Sequence, residues 1–492
     1  MQIPQPHLNI TRVKSIFEKI YNRGQISLSA SKTYLEEQLN LYLDHLSAHT
    51  GHKVSVKDRA RIWNIIERNN QVAKILSTPG YRKIIKRKRQ LSEGVSLGFV
   101  FCIDGRIPTI FLGGRFARHF EIPAAEISVI KRKSDGKLIP DSSDLNEALR
   151  RTSTTGNDLL EIVLAHTSLF DPHHGCGAML AKKKTGLLDP KLSLEENNLK
   201  IIKEKTITAI SNMYNEFREQ LGLEPQKIVA IPAVYDTDSF GIILNFESKK
   251  VLSTTSLANK YKDQLDEYFV KKNIVLGSFR QKFTDLKYLT VFSQNILSVT
   301  EAILDQKVAS ELQTEVENYL NEFYQDLTAN QKKTLKFVLI RNIALQYLTG
   351  FCLNIAKIEE RPFSKHEESY MAVAMRGSTI GKFDPENQAF ASTPADPRQA
   401  IENINTMLSI MHGGKNEPYI LFVCNSVGIR DLKDNNQVLQ RIIGSNAGLL
   451  RDIIEDKGLG EMIETGKIIP VPVLIDEDAR EVLKIVDHSG YI

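Results

Sequence analysis

The sequence predicts an α/β protein: a helical amino-terminal domain, then a domain built on a mainly parallel sheet, then a degenerate second copy of that domain. Three observations predict it. Residues 1–94 carry helical periodicity and almost no strand signal. From Gly94 onward, short apolar runs alternate with long helical stretches. Segments of that second region recur, in the same order, in the last third of the chain. The expected division is therefore 1–94 helical, 95–300 catalytic and 301–492 degenerate repeat.

The first region is helical because its apolar residues fall three and four apart, as in Tyr34–Leu43 and Ile62–Ile66. Ser55, with Asp58 three residues on, begins one helix, and Pro79-Gly80 breaks another. The basic run Arg82–Arg89 reads as a solvated helix face rather than a docking patch. This region shows no chemistry of its own.

The runs VSLGFVFCID at 95–104, DLLEIVLAH at 158–166 and KIVAIPAV at 227–234 are short and nearly continuously apolar, as buried parallel strands are. Helical stretches such as 192–221 separate them. In such sheets functional residues lie just beyond the carboxyl ends of strands. Cys102, Asp104 and His166 occupy those places.

In the last third, Ile468–Asp478 repeats Ile228–Asp238, Leu421–Asn425 matches Ile162–His166, and Ala372–Met375 matches Phe99–Cys102. An internal duplication explains three matches in one order better than coincidence does. In this alignment Met375 replaces Cys102 and Asn425 replaces His166, so the second copy is expected to bind no metal.

Composition bounds the setting. Of 492 residues, 42% are hydrophobic and 25% charged, the balance of a globular chain with ample apolar surface to bury. A net charge of +5, spread over 64 basic and 59 acidic side chains, gives no reason to expect nucleic acid as a partner. Four cysteines (Cys102, Cys176, Cys352 and Cys424) make no disulfide framework. The first residues lack the charged and apolar regions of a signal peptide, and no stretch approaches a membrane span. The expected compartment is the cytoplasm.

Cys102, Cys176 and a histidine supply three zinc donors of the sulfur and nitrogen kind and leave a fourth tetrahedral position open, which is the pattern of a catalytic site. Cys352 and Cys424, without such neighbours, read as buried small hydrophobes. His119, His173 and His174 are candidate proton carriers or exposed structural residues. Gly113–Phe116 reads mainly as a turn, and Thr152–Gly156 mainly as a capping segment.

The fragments Cys102-Ile103-Asp104-Gly105-Arg106 and His173-His174-Gly175-Cys176-Gly177 carry a resemblance. Over about residues 95–245 the chain resembles the β-class carbonic anhydrases, which read Cys-x-Asp-x-Arg after one strand and His-x-x-Cys-Gly after another. With its degenerate second copy it is most similar to the two-copy carboxysome shell enzymes of that superfamily. In the family the histidine directly follows an apolar strand, a place held here by His166, so two histidines compete. His166, with an insertion before Cys176, is favoured over His173.

The resemblance implies zinc held by Cys102, His166 and Cys176, and reversible hydration of carbon dioxide to bicarbonate. Asp104 would orient the attacking oxygen, and Arg106 would keep Asp104 ionised and in place. It also implies a homodimer and admits a bacterial microcompartment as the setting. Other readings stand beside it: a carbonyl sulfide or carbon disulfide hydrolase, a zinc subunit of an inorganic-carbon uptake complex, and a zinc-stabilised pseudoenzyme.

Overall fold

The computed structural model describes residues 28–76, 79–91, 94–101, 119–123, 130–140, 143–154, 157–167, 176–225, 228–237, 239–271, 287–358, 389–392, 417–427, 436–476 and 482–485. The chain opens with helices α1 (Leu28–Thr50), α2 (Val56–Leu76) and α3 (Pro79–Leu91). Ser55 accepts from the Asp58 amide at 3.1 Å ahead of α2, as the sequence predicts for a helix start. On α3, Ile84 is buried while Lys83, Lys86 and Arg87 are exposed, and Arg87 pairs with Glu301.

Strands β1 (Val95–Phe101), β2 (His119–Pro123), β5 (Asp158–Thr167), β6 (Val229–Asp236), β7 (Ile242–Leu244) and β8 (Leu252–Ser253) form one sheet in the order β2-β1-β5-β6-β7-β8. β2, β1, β5 and β6 run parallel, β7 runs antiparallel to β6, and β8 antiparallel to β7. A small hairpin, β3 (Ile130–Arg132) and β4 (Leu138–Pro140), and helix α4 (Ser143–Ser153) precede β5. Between β5 and β6 come α5 (Gly177–Lys184), α6 (Leu194–Ile201), a π-helical turn at Ile202–Thr206, and α7 (Ile207–Gln220). The mainly parallel sheet that the apolar runs predict is present.

Helices α8 (Thr254–Lys260), α9 (Lys262–Lys271), α10 (Lys287–Leu304), α11 (Ser310–Phe323) and α12 (Ala329–Ile358) follow β8. One face of the sheet, with Leu97, Phe99, Leu160, Ile162, Leu164 and Ile231, packs on α10 and α12. The other, with Val100, Leu159, Val163 and Val234, packs on α4 and α7. A strand covered on both faces must be apolar at nearly every position, so β5 shows no alternation.

A second sheet contains β9 (Ala389–Ser392), β10 (Tyr419–Val427), β11 (Ile468–Asp476) and β12 (Val482–Ile485), with α13 (Asn436–Glu455) and α14 (Lys457–Glu464) connecting β10 to β11. Here β9, β10 and β11 are parallel and β12 antiparallel. Its register copies the first sheet. Thr167 pairs with Asp236 and Val427 with Asp476; Ala233 pairs with Leu244 and Val473 with Ile485.

The cores do not follow the division at 94 and 300. Leu35, Leu39, Leu43, Ile62 and Ile66 of α1 and α2 share a core with Phe422, Val471 and Ile485 of the second sheet. Tyr42 donates to the Pro470 carbonyl at 2.9 Å, and Arg61 pairs with Glu417 at 2.7 Å. Ile303, Leu312, Phe337 and Leu348, from beyond residue 300, belong instead to the core of the first sheet. Periodicity shows which helix faces are apolar but not which sheet they cover, and that is why the sequence divides the chain differently. No helix among the described residues is long and apolar enough to cross a membrane.

One polar side chain breaks the apolar run of β5. Glu161 is fully buried, lies between Gly98 and Ala230 of the flanking strands, and its oxygens meet no donor among the described residues. Desolvation pushes its carboxyl up to about 8. The folded state thus holds this proton more tightly than the unfolded chain, and its contribution is fully present below the ordinary carboxylate range and lost as pH rises towards 8. Chemical denaturation from pH 5 to 8 should show stability falling by up to about 1.4 kcal/mol per pH unit. Glu161→Leu should remove most of that slope, and an unchanged slope would show that Glu161 is not its source.

Candidate metal centre

His166 is the penultimate residue of β5 and is 2% exposed. Its row runs through Tyr235 of β6 to Ile242 of β7. Alternation along the strand puts it on the face of Leu160, Ile162 and Leu164, which packs on α12. Cys176 immediately precedes α5, where the Leu180 amide donates to its carbonyl at 2.9 Å. It too is 2% exposed, packed with Met179 against Leu188, Leu194 and Ile201.

Helix α6 contacts both the end of β5 and the segment that carries Cys176. Glu195 in its first turn accepts the Thr167 hydroxyl at 2.6 Å, next to His166, and the neighbouring Leu194 packs against Cys176 and Met179. The start of α6 is fixed by a capping box: the Glu196 amide donates to Ser193 Oγ at 3.1 Å and the Ser193 amide to Glu196 Oε2 at 2.7 Å.

Of the remaining predicted site residues, Cys102, Asp104, Arg106, His173 and His174 lie outside the described residues, as do Gly113–Phe116 and Met375. Phe101, immediately before Cys102, pairs with Leu164, two residues short of His166. His119 begins β2 and pairs with Leu97, four residues before the described end of β1. Thr152 and Ser153 close α4 at the opposite edge, with Ser153 Oγ donating to the Arg150 carbonyl at 2.7 Å. Cys424 is a buried core residue of β10, as expected.

The second sheet revises two equivalences. β9 stands beside β10 as β1 stands beside β5, so Ala391 takes the place of Phe99 that the sequence match gives to Ala372. Matched by strand pairing rather than by sequence, Ser426 takes the place of His166, and Asn425 that of Ala165. Asn425 and Ala165 both face the helix that leads to the next strand. Asn425 Nδ2 donates to the Ile442 carbonyl at 3.2 Å, and Asn446 Nδ2 donates to Asn425 Oδ1 at 2.8 Å and to the Val423 carbonyl at 2.9 Å. Asn425 is thereby part of a closed amide network on α13.

Sequence reading also passed over the polar residues at the end of β6. Asp236 is buried and accepts from the Ser239 hydroxyl at 2.5 Å and the Ser239 amide at 3.0 Å. Thr237 donates to the Thr167 carbonyl through both its amide and its hydroxyl, each at 2.9 Å. Ser239 Oγ lies 3.1 Å from Thr255 Oγ1, and a Cβ at Gly241 would fall 2.2 Å from that same hydroxyl oxygen. The rule that drew attention to Cys102, polar residues just past a strand's carboxyl end, applies equally to Asp236 and Thr237.

Among the described residues no three metal-ligating side chains come together. The donor types still suit zinc: a buried imidazole lies at the end of β5, a buried thiol precedes α5, and a second cysteine follows β1 in the sequence. No protein-family model matches the sequence, and no curated protein matches it significantly. Metal analysis should find one zinc per chain, none in His166→Ala or Cys176→Ala, and the full amount in Asn425→Ala and His173→Ala. Two equivalents per chain would show that the second sheet also binds metal, and loss in His173→Ala would move the nitrogen ligand to that residue.

Proposed function

We propose that this chain is a zinc-dependent carbonic anhydrase of the β type, which hydrates carbon dioxide reversibly to bicarbonate. The observation that carries the reading is that His166, buried at the end of β5, and Cys176, buried just before α5, lie in segments that both contact the start of α6, while the Cys102-Asp104-Arg106 motif follows β1 in the sequence. Cys102, His166 and Cys176 would hold the zinc, which when bound supplies a Lewis acid able to make a nucleophile of water near neutral pH. Asp104 would accept a hydrogen bond from the attacking oxygen and turn a lone pair towards the substrate. Arg106 would pair with Asp104 and keep it charged. A structural zinc site would need no such acid and base pair, which weighs against a pseudoenzyme.

The second sheet is a degenerate copy of the first. Shared strand direction and shared register over three strands support a duplication more strongly than the short sequence matches do. With Ser426 at the place of His166, that copy lacks the imidazole a metal would need. Its role is architectural, since it gives α1 and α2 a surface to cover. That arrangement also weakens the uptake-complex alternative, in which the amino-terminal helices dock on a membrane partner, because their apolar faces are already buried within the chain. Action on carbonyl sulfide or carbon disulfide would use the same ligands and differ only in pocket shape.

Stopped-flow hydration of carbon dioxide by purified, zinc-quantified protein tests the reading. Activity proportional to zinc content is expected, and Asp104→Ala should retain zinc and fold while losing about a hundredfold or more in rate. Zinc-loaded protein that does not hydrate carbon dioxide but hydrolyses carbonyl sulfide would assign the same site to the alternative substrate.

A further inference from the structure

β6 pairs with β5 as far as Thr167, so His166, opposite Tyr235, lies one residue from the end of that ladder. The residue after it is held unusually well. The Thr167 carbonyl accepts two bonds from Thr237, and the Thr167 hydroxyl donates to Glu195 Oε1 at 2.6 Å. A hydroxyl bond to a carboxylate is short, directional and stronger than one between neutral groups. Glu195 also sits in the first turn of α6, where the helix dipole favours an acid and the capping box fixes the backbone.

The same helix bears on the other described candidate ligand. Leu194 and Ile201 pack against Cys176 and Met179, while the next residue, Ile202, opens the π-helical turn and enters the core under the sheet. Thus α6 touches the strand end through Glu195 and the Cys176 segment through its leucine and isoleucine. We propose that Glu195 is a positioning residue of the proposed metal centre: by holding Thr167 from a helix that also packs on the Cys176 segment, it ties the end of β5 that bears His166 to that segment. This rests on reading His166 and Cys176 as ligands. Glu195 itself need not touch the metal.

Zinc dissociation constants, measured on the full chain by competition with a chromophoric chelator, test this alongside thermal unfolding of the metal-free proteins. Outer partners of metal ligands commonly change affinity by about 10- to 100-fold. Glu195→Ala and Thr167→Val should each bind zinc about ten-fold or more weakly, with metal-free unfolding temperatures close to the parent's. Glu195→Gln and Thr167→Ser keep the acceptor and the hydroxyl and should stay near the parent's affinity. Glu195→Ala binding zinc as tightly as the parent overturns the proposal. So does a loss that Glu195→Gln fails to rescue and that a matching loss of metal-free stability explains. A parent chain that binds no zinc overturns the metal reading itself.

Discussion

Strand β5 is buried along almost its whole length, flanked by parallel β1 and β6 and covered on both faces by helices. Its position constrains the rest of the first half. A parallel sheet needs crossover connections, and these bring the chain back across the sheet and leave the strand ends at one edge. That edge receives His166, the start of α6, and the Asp236-Thr237 pair at the end of β6. The edge is also where buried hydroxyls and carboxylates replace apolar packing, through Thr167, Thr237, Glu195, Asp236 and Ser239.

The two sheets share strand directions and part of their register but are covered by different helices. In the first, the face bearing His166 is closed by α10 and α12, which come much later in the chain. In the second sheet the amino-terminal helices α1 and α2 join the core. The second sheet keeps the strand pairing yet ties its end with an amide network at Asn425 and Asn446, which satisfies buried polar groups without a metal. Because its first helices pack on its last sheet, the chain is closed by contacts between residues hundreds of positions apart, such as Tyr42 with Pro470.

Much of this was legible in the sequence. The apolar runs at 95–104, 158–166 and 227–234 became β1, β5 and β6, because strands covered on both faces admit few polar residues. Of the proposed ligands, His166 and Cys176 stand out in the sequence by strand-end position and motif spacing, and both are buried. What was not legible depends on partners distant in sequence. Nothing local to Leu39 or Ile62 shows that they meet Phe422, or that Phe337 lies under the first sheet rather than the second. The mismatch at Asn425 has a different cause. Short apolar strands align almost equally well one residue apart, and only the pairing with β11 reveals that the His166 row belongs to Ser426. Glu195 and Thr167 went unnoticed because a glutamate in a first helical turn and a threonine in a strand are each ordinary there.

The central claim is a single zinc held by two thiolates and one imidazole, with one position left for a light atom. X-ray absorption at the zinc edge of the loaded, full-length protein measures that ligand set directly. The account predicts two sulfur neighbours at about 2.3 Å and two nitrogen or oxygen neighbours at about 2.0–2.2 Å. A shell of four sulfurs, or one with no sulfur at all, would contradict it.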